Sequence, residues 1–182
     1  MTERVPGDAA NVAHDAVIAV TTWSLEMTSP ADLRPRRVER ADVALARVEE
    51  PWPELNRFFY VTVGAAWSWM DRLPWTRADW LRWLDRPDVQ TWVLSAAGLP
   101  AGYFELERQG DSVELAYFGL IARFTGQGLG AHLLSEAVER AWAMGPRRVW
   151  VHTCSLDHPS ALDNYRARGF RVFHEETKEH GR

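Results

Sequence analysis

The chain has 182 residues, of which 46% are apolar or aromatic, enough for one domain with a substantial core. About a quarter of the residues are charged and the net charge is -4, so no basic field exists to hold a nucleic-acid backbone, and nucleic acid is not an expected partner. Cys154 is the only cysteine, which excludes an intrachain disulfide framework. No apolar run reaches the roughly 18 residues that span a bilayer, and Met1 to Ala16 lacks the apolar centre of a signal peptide. The expectation is a cytoplasmic protein without a membrane partner.

The order of elements follows from periodicity. Residues 1–15 read as a flexible tail and 16–182 as a single domain. Ala16 to Met27, rich in Val, Ile, Thr and Trp, reads as a strand that Ser29-Pro30 breaks. Asp32 to Glu50 is heavily charged and reads as irregular or edge structure, with Arg34 to Arg40 as a solvated face. A helix is expected over the middle of Leu55 to Arg72. A second runs from Thr76 to Leu84, where Thr76 caps, Asp79 supplies an acid three residues later, and Trp80, Trp83 and Leu84 repeat at helical spacing. From Gln90 the period changes to two. Thr91 to Ala96, Ala101 to Arg108 and Val113 to Ile121 are three strand-like runs joined by Gly98-Leu99-Pro100 and Gln109-Gly110-Asp111, an antiparallel meander. An amphipathic helix starts near Gly128 and ends at Gly145-Pro146. Arg148 to Cys154 reads as a strand, Pro159 to Arg168 as a helix, and Phe170 to His174 as a last strand.

One glycine cluster, Gly126-Gln127-Gly128-Leu129-Gly130, lies between the third meander strand and the amphipathic helix. A helix N-terminus exposes N–H groups and partial positive charge, and glycines let the backbone approach a phosphate closely. Ala131-His132 stands where a P-loop needs Lys and Ser or Thr. The cluster also follows an antiparallel meander, unlike a dinucleotide-binding βαβ opening. Thr125 to Leu134 resembles the acetyl-CoA motif of the GNAT superfamily, Q/R-x-x-G-x-G/A followed by an apolar helix. Two registers fit: Gly128 and Gly130 with Thr125 in the Gln/Arg position, which places the helix correctly, or Arg123, Gly126 and Gly128. Ala161 to Phe170 resembles the family's second signature, A-x-x-x-Y-x-x-x-G-F, with Tyr165 as its tyrosine. The resemblance covers about Gln90 to Glu175.

That resemblance implies an α+β fold, the GNAT fold, in which a mixed, mostly antiparallel sheet is flanked by helices and acyl-CoA binds at a splay between the two central strands. It implies an N-acetyltransferase that uses acetyl-CoA as co-substrate, without a metal, on a small-molecule or peptide amine; a homodimer is common in similar proteins. The cofactor would be held by Leu120 and Ile121 through their backbone, by Thr125, Gly126, Gln127, Gly128, Leu129, Gly130 and Ala131, and by His158 near the pantetheine. The catalytic residues would be Tyr165, as acid for the departing thiolate, and Glu114, as base for the amine, since Glu114 lies fourteen residues before Gly128. Glu105 is the alternative base, with His152 and Tyr117 behind it. Ten tryptophans, five of them from Trp67 to Trp83, read either as core or as an aromatic acceptor wall able to hold a cation. Cys154 reads as a core residue. Two other readings stay open: an acyl-CoA-binding regulator, and a Trp-rich interaction module without catalysis.

Overall fold

The computed structural model describes residues 18–180. The expected tail, 1–15, lies outside the described residues. Seven strands form one sheet: β1 (Ile18–Met27), β2 (Val43–Val48), β3 (Val89–Ala96), β4 (Leu99–Gln109), β5 (Ser112–Leu120), β6 (Arg148–Cys154) and β7 (Arg171–His180), in the order β2-β3-β4-β5-β6-β1-β7. All neighbouring pairs are antiparallel except β5 and β6. The helices are α1 (Pro53–Gly64), α2 (Arg77–Leu84), α3 (Leu129–Ala143) and α4 (Ala161–Ala167).

Each helix follows from its sequence. Pro53 opens α1 at the position where a missing N–H costs nothing, and Asn56, Phe59, Tyr60 and Val63 form its buried stripe at i, i+3, i+4 and i+7. The Thr76 and Asp79 side chains complete a capping box on α2, as their spacing predicts, and Trp80 and Leu84 are its buried residues. In α3 the buried stripe is Leu129, Leu133, Leu134, Ala137, Val138 and Ala141. That stripe packs on the inward residues of the sheet, among them Leu25, Leu94, Phe104, Leu106, Val113, Leu115, Val149 and Val151, to make the main apolar core. The opposite face carries α1 and α2, where Phe59 and Val63 pack with Tyr103, and Tyr60 and Trp80 with Leu84 and Val89.

Two expectations need revision. The charged stretch from Asp32 to Glu50 contains a true edge strand, β2, which pairs along its whole length with β3. Its alternation is concealed because an edge strand exposes most of its side chains. The last strand, expected at Phe170 to His174, runs to His180 because its polar second half gains a complete ladder with β1.

Candidate functional site

The centre of the sheet opens at one point. β5 and β6 pair only at Ser112↔Arg148, Val113↔Val149 and Glu114↔Trp150, and from there the two strands separate. A bulge explains the divergence: opposite Glu105 and Leu106, β5 places Tyr117 and Leu115, so Ala116 is an extra residue that bends the strand just past the last shared pair. Beyond the bulge, Ile121 donates its N–H to the Ala101 carbonyl at 2.9 Å. Antiparallel pairing alternates, so Leu120 and Phe118 turn their backbone groups toward the gap. Of the two residues expected to pair with pantetheine, only Leu120 therefore presents its backbone to the opening. Ile121 gives its N–H to Ala101, and its carbonyl accepts from Phe124 at 2.8 Å.

The glycine loop lies at the open end of β5. Gly128 is the N-cap of α3 with φ of 77°, in the left-handed region that favours glycine, and Gly126 has φ of 74°. The first N–H of the helix with a backbone acceptor is that of His132, which bonds Gly128. Among the described residues, none of the N–H groups from Gly126 to Ala131 has an acceptor. These groups, together with the end of a 15-residue helix dipole, form a cradle that could hold an anion. The loop is braced from outside, where Gln127 accepts from Arg40 at 3.0 Å and donates to the Arg123 carbonyl at 3.1 Å. Thr125 departs from the expected role, because both its hydroxyl (2.8 Å) and its N–H (3.2 Å) donate to the Ala122 carbonyl. Its part is to shape the turn ahead of the cradle. The segment from Arg34 to Arg40 clamps α3: Arg37 pairs with Glu136 and Glu139, and Arg36 donates its N–H to Ser135 Oγ.

Tyr165 projects from α4 into the main core, only 6% exposed, with its ring tilted against Phe118 on the free arm of β5 at 6.1 Å and edge-on to Phe170 at 5.9 Å. Burial, helped by the negative charge of Asp157, pushes its phenol well above the ordinary tyrosine value, so the ring keeps its proton at neutral pH. His158 lies in the loop before α4, where its Nδ1 accepts from the Ser160 N–H and its ring stands edge-on to Trp67 at 4.9 Å. Cys154 is half-buried, and burial raises its thiol above the ordinary value, which disfavours a nucleophile.

Glu114 stands at the apex of the opening, on the α1 and α2 face. Its carboxylate accepts from Gln109 Nε2 at 2.7 Å and lies 3.0 Å from His152 Nδ1. Glu105, the alternative base, is fully buried and committed: its Oε2 accepts from Arg72 Nη1 at 2.7 Å and from Trp83 Nε1 at 2.9 Å, and its Oε1 accepts from Asn56 Nδ2 at 2.9 Å. With three donors around it and no exposed surface, Glu105 is not open to a substrate amine. The tryptophan cluster does hold a cation, and the cation is the protein's own Arg72. Its guanidinium lies 4.0 Å from the Tyr117 ring centre, 4.2 Å from Trp83 and 4.6 Å from Trp75. Tyr117 is thus a wall of this cage, and burial raises its phenol far above the ordinary value. Sequence reasoning missed Arg72; its signal was a lone arginine between Trp69 and Trp75. A cavity of about 360 Å³ over Trp52, Asn56 and Thr91 borders this network and includes no residue of the glycine loop.

Residues 48–170 match the family model described as the acetyltransferase (GNAT) family. The chain belongs to the GNAT acetyltransferase family. Solved structures share its fold: a GCN5-related N-acetyltransferase from Kribbella flavida (20% identity, TM-score 0.64, covering 91% of this chain and 59% of that one) and another from Sphaerobacter thermophilus (19%, 0.63, 88% and 52%). The ribosomal-protein-S18-alanine N-acetyltransferase of Escherichia coli is similar at 16% identity and a TM-score of 0.56, covering 71% of this chain and 77% of that one. The chain thus spans little more than half the length of the Kribbella and Sphaerobacter proteins. No protein of curated function matches the sequence. Among the described residues no helix is long and apolar enough to cross a membrane, and no cluster of His, Cys, Asp and Glu could hold a metal ion.

Proposed function

We propose that the protein transfers an acetyl group from acetyl-CoA to the amino group of a small molecule or peptide. The observation that carries this reading is the meeting, at one end of β5, of a gap between the two central strands with a run of unpaired N–H groups from Gly126 to Ala131. The residues present fit a CoA pyrophosphate: the cradle offers donors without Cβ obstruction at Gly126, and no lysine is needed. The Leu120 backbone faces the gap and can pair with the pantetheine amides. Acetyl-CoA, when bound, supplies an acyl carbon already activated as a thioester.

The protein's own groups then have three tasks. The cradle and Leu120 hold the acyl carbon in the gap, which substitutes orientation for a bimolecular encounter. Tyr165 holds a proton at its phenol oxygen for the leaving sulfur. On the other face of the sheet, the Glu114 carboxylate supplies the negative charge that lets an ammonium acceptor lose its proton. His158 and Trp67 join the α4 side to the α1–α2 loop beside the opening. The test is calorimetric titration with acetyl-CoA, followed by thiol release with a panel of a polyamine, an arylalkylamine, an aminoglycoside and an alanine-ended peptide. Binding in the micromolar range and thiol release with at least one amine support the reading. Acetyl-CoA that does not bind the folded protein overturns it.

A further inference from the structure

We propose that His152, through Nε2, is the group that takes the proton from the acceptor amine, and that Glu114 is the positioning residue that fixes its tautomer. The proposal rests on the acetyl-transfer reading above and assigns its base.

The hydrogen-bond pattern around Gln109 fixes the orientations. An indole N–H can only donate, so the Gln109 atom 3.2 Å from Trp150 Nε1 is Oε1. Gln109 Nε2 therefore faces the carboxylates of Glu114 at 2.7 Å and Glu107 at 2.9 Å, and Glu107 is held in turn by Arg86 at 2.5 Å. Glu114 thus spends Oε2 on Gln109 and Oε1 on His152, and it is only 7% exposed. A carboxylate can only accept, so His152 Nδ1 carries a proton toward it, and the lone pair of the neutral ring lies on Nε2.

Position separates the two residues. His152 is two residues past the last β5–β6 pair, inside the opening, and its side chain is 52% exposed. An amine entering on the α1 and α2 face meets the imidazole before the buried carboxylate. The charged groups that face the ring are Glu114 from β5, Asp157 from the loop after β6 and Asp71 from the α1–α2 loop, and all are acidic. The bond to Glu114 is the main cause that raises the His152 ionisation above its ordinary value of 6.5, against the opposing effect of burial. The Trp150 ring stands beside the imidazole at 5.9 Å.

The step balances. The Nε2 lone pair forms an N–H bond as an N–H bond of the ammonium breaks, and the imidazolium charge is offset by Glu114. The freed amine lone pair forms the C–N bond, the C–S bond breaks, and the sulfur receives the Tyr165 proton. The second amine proton and the one on His152 pass to water and to Tyr165, which restores the resting protein.

The test measures thiol release across pH with the best amine of the panel, together with nitrogen NMR of the imidazole in the full chain. In the parent protein kcat/KM should rise with pH through an ionisation above the ordinary histidine value. His152→Gln should lose that limb and at least tenfold in rate, and His152→Asn, which keeps a donor toward Glu114, should behave the same. Glu114→Gln should move the limb, and the NMR titration of His152, to lower pH, because the charge that raises it is gone. A purely structural Glu114 would leave both where they were. Retention of the limb and of the rate within twofold in folded His152→Gln would overturn the proposal and return the proton to Glu114. A neutral ring protonated on Nε2 would overturn it as well. If the parent protein releases no thiol with any amine, the acetyl-transfer reading falls and takes this proposal with it; release that ignores His152 removes this proposal alone.

Discussion

The two faces of the sheet are built on opposite principles. Against α3 the core is mainly apolar: Leu133, Leu134 and Ala137 cluster with Phe104, Leu106 and Val149, no charged group among the described residues is buried there, and the buried Ser135 hydroxyl bonds the Ala131 carbonyl. Against α1 and α2 the sheet buries Glu105, Arg72, Asn56, Thr91 and Glu114 among aromatic rings. The first face needs only shape, so hydrophobic periodicity encodes it. The second needs its charged groups paired, since a buried charge left alone is costly, and Arg72 and Glu105 meet that need in each other. The apolar face carries the glycine loop at the start of α3, while the polar face, on the function proposed above, borders the side from which an acceptor would enter. A preformed polar wall on that side would hold charged groups in fixed geometry at little reorganisation cost.

The largest expected effect comes from breaking the polar face at its centre. Arg72→Met leaves the Glu105 carboxylate fully buried with only Asn56 and Trp83 as donors. Removing one partner of a buried pair costs about 3–5 kcal/mol. Urea unfolding should show that loss, and Arg72→Met with Glu105→Leu should recover part of it. A loss below about 1 kcal/mol for Arg72→Met would mean that the face is held by its aromatic rings alone. Tyr165→Phe strikes the other face. It removes one hydroxyl from a ring packed on Phe118 and Phe170, so stability should change little. Turnover should fall by roughly ten- to a thousandfold, the range for losing one general acid or less, with acetyl-CoA affinity near that of the parent. Turnover within twofold would make Tyr165 a packing residue.

Gly128→Val probes the cradle. At φ of 77° a β-branched side chain is strained, and its Cβ would also meet Val38 Cγ1 at 3.4 Å. The acetyl-CoA dissociation constant should rise at least tenfold, about 1.4 kcal/mol, as measured by calorimetry. Unchanged affinity in a folded variant would move the pyrophosphate away from this loop.

How much of this was legible follows the same division between faces. The strands from Val89 to Leu120, the α3 stripe and the glycine loop follow period and glycine placement, both local signals. The capping box at Thr76 and Asp79 was legible for the same reason. Arg72 and Glu105 lie 33 residues apart, and nothing local says that they meet. Glu105 was thus read as the alternative base, without its buried partner. Ile121 was misplaced by a subtler cause, since whether its N–H faces the gap depends on the hydrogen-bonding phase of β4 and β5, which the bulge at Ala116 shifts. Glu114 was singled out by its spacing to Gly128, but its partners Gln109 and His152, one across the hairpin bend and the other on β6, were set by the fold.

The smallest expected effect tests whether α2 acts as a support for the polar face. Thr76 Oγ1 accepts from the Asp79 N–H at 3.3 Å and donates to Asp79 Oδ2 at 2.6 Å, and the same carboxylate accepts from the Thr76 N–H at 2.9 Å. Thr76→Ala removes the side-chain half of this box and should lower the Tm by about 2–4 °C, the shift of one lost cap in a domain of this size. The sign of its pH dependence is fixed. The bond from the Thr76 hydroxyl, followed by the Thr76 N–H and Arg82, holds the Asp79 carboxyl below its ordinary value of 3.8. The stabilisation from that carboxylate is therefore fully present above the ordinary value and is lost as pH falls through the lowered one. The gap in Tm between parent and Thr76→Ala should be constant near neutrality and narrow in acid. Because Trp80 and Trp83 both sit on α2 and face Arg72, fraying of the helix start should also appear as faster amide exchange at Trp80 and Trp83, while amides of α3 stay unchanged. Equal acceleration on both faces would show that the cap stabilises the domain as one cooperative unit.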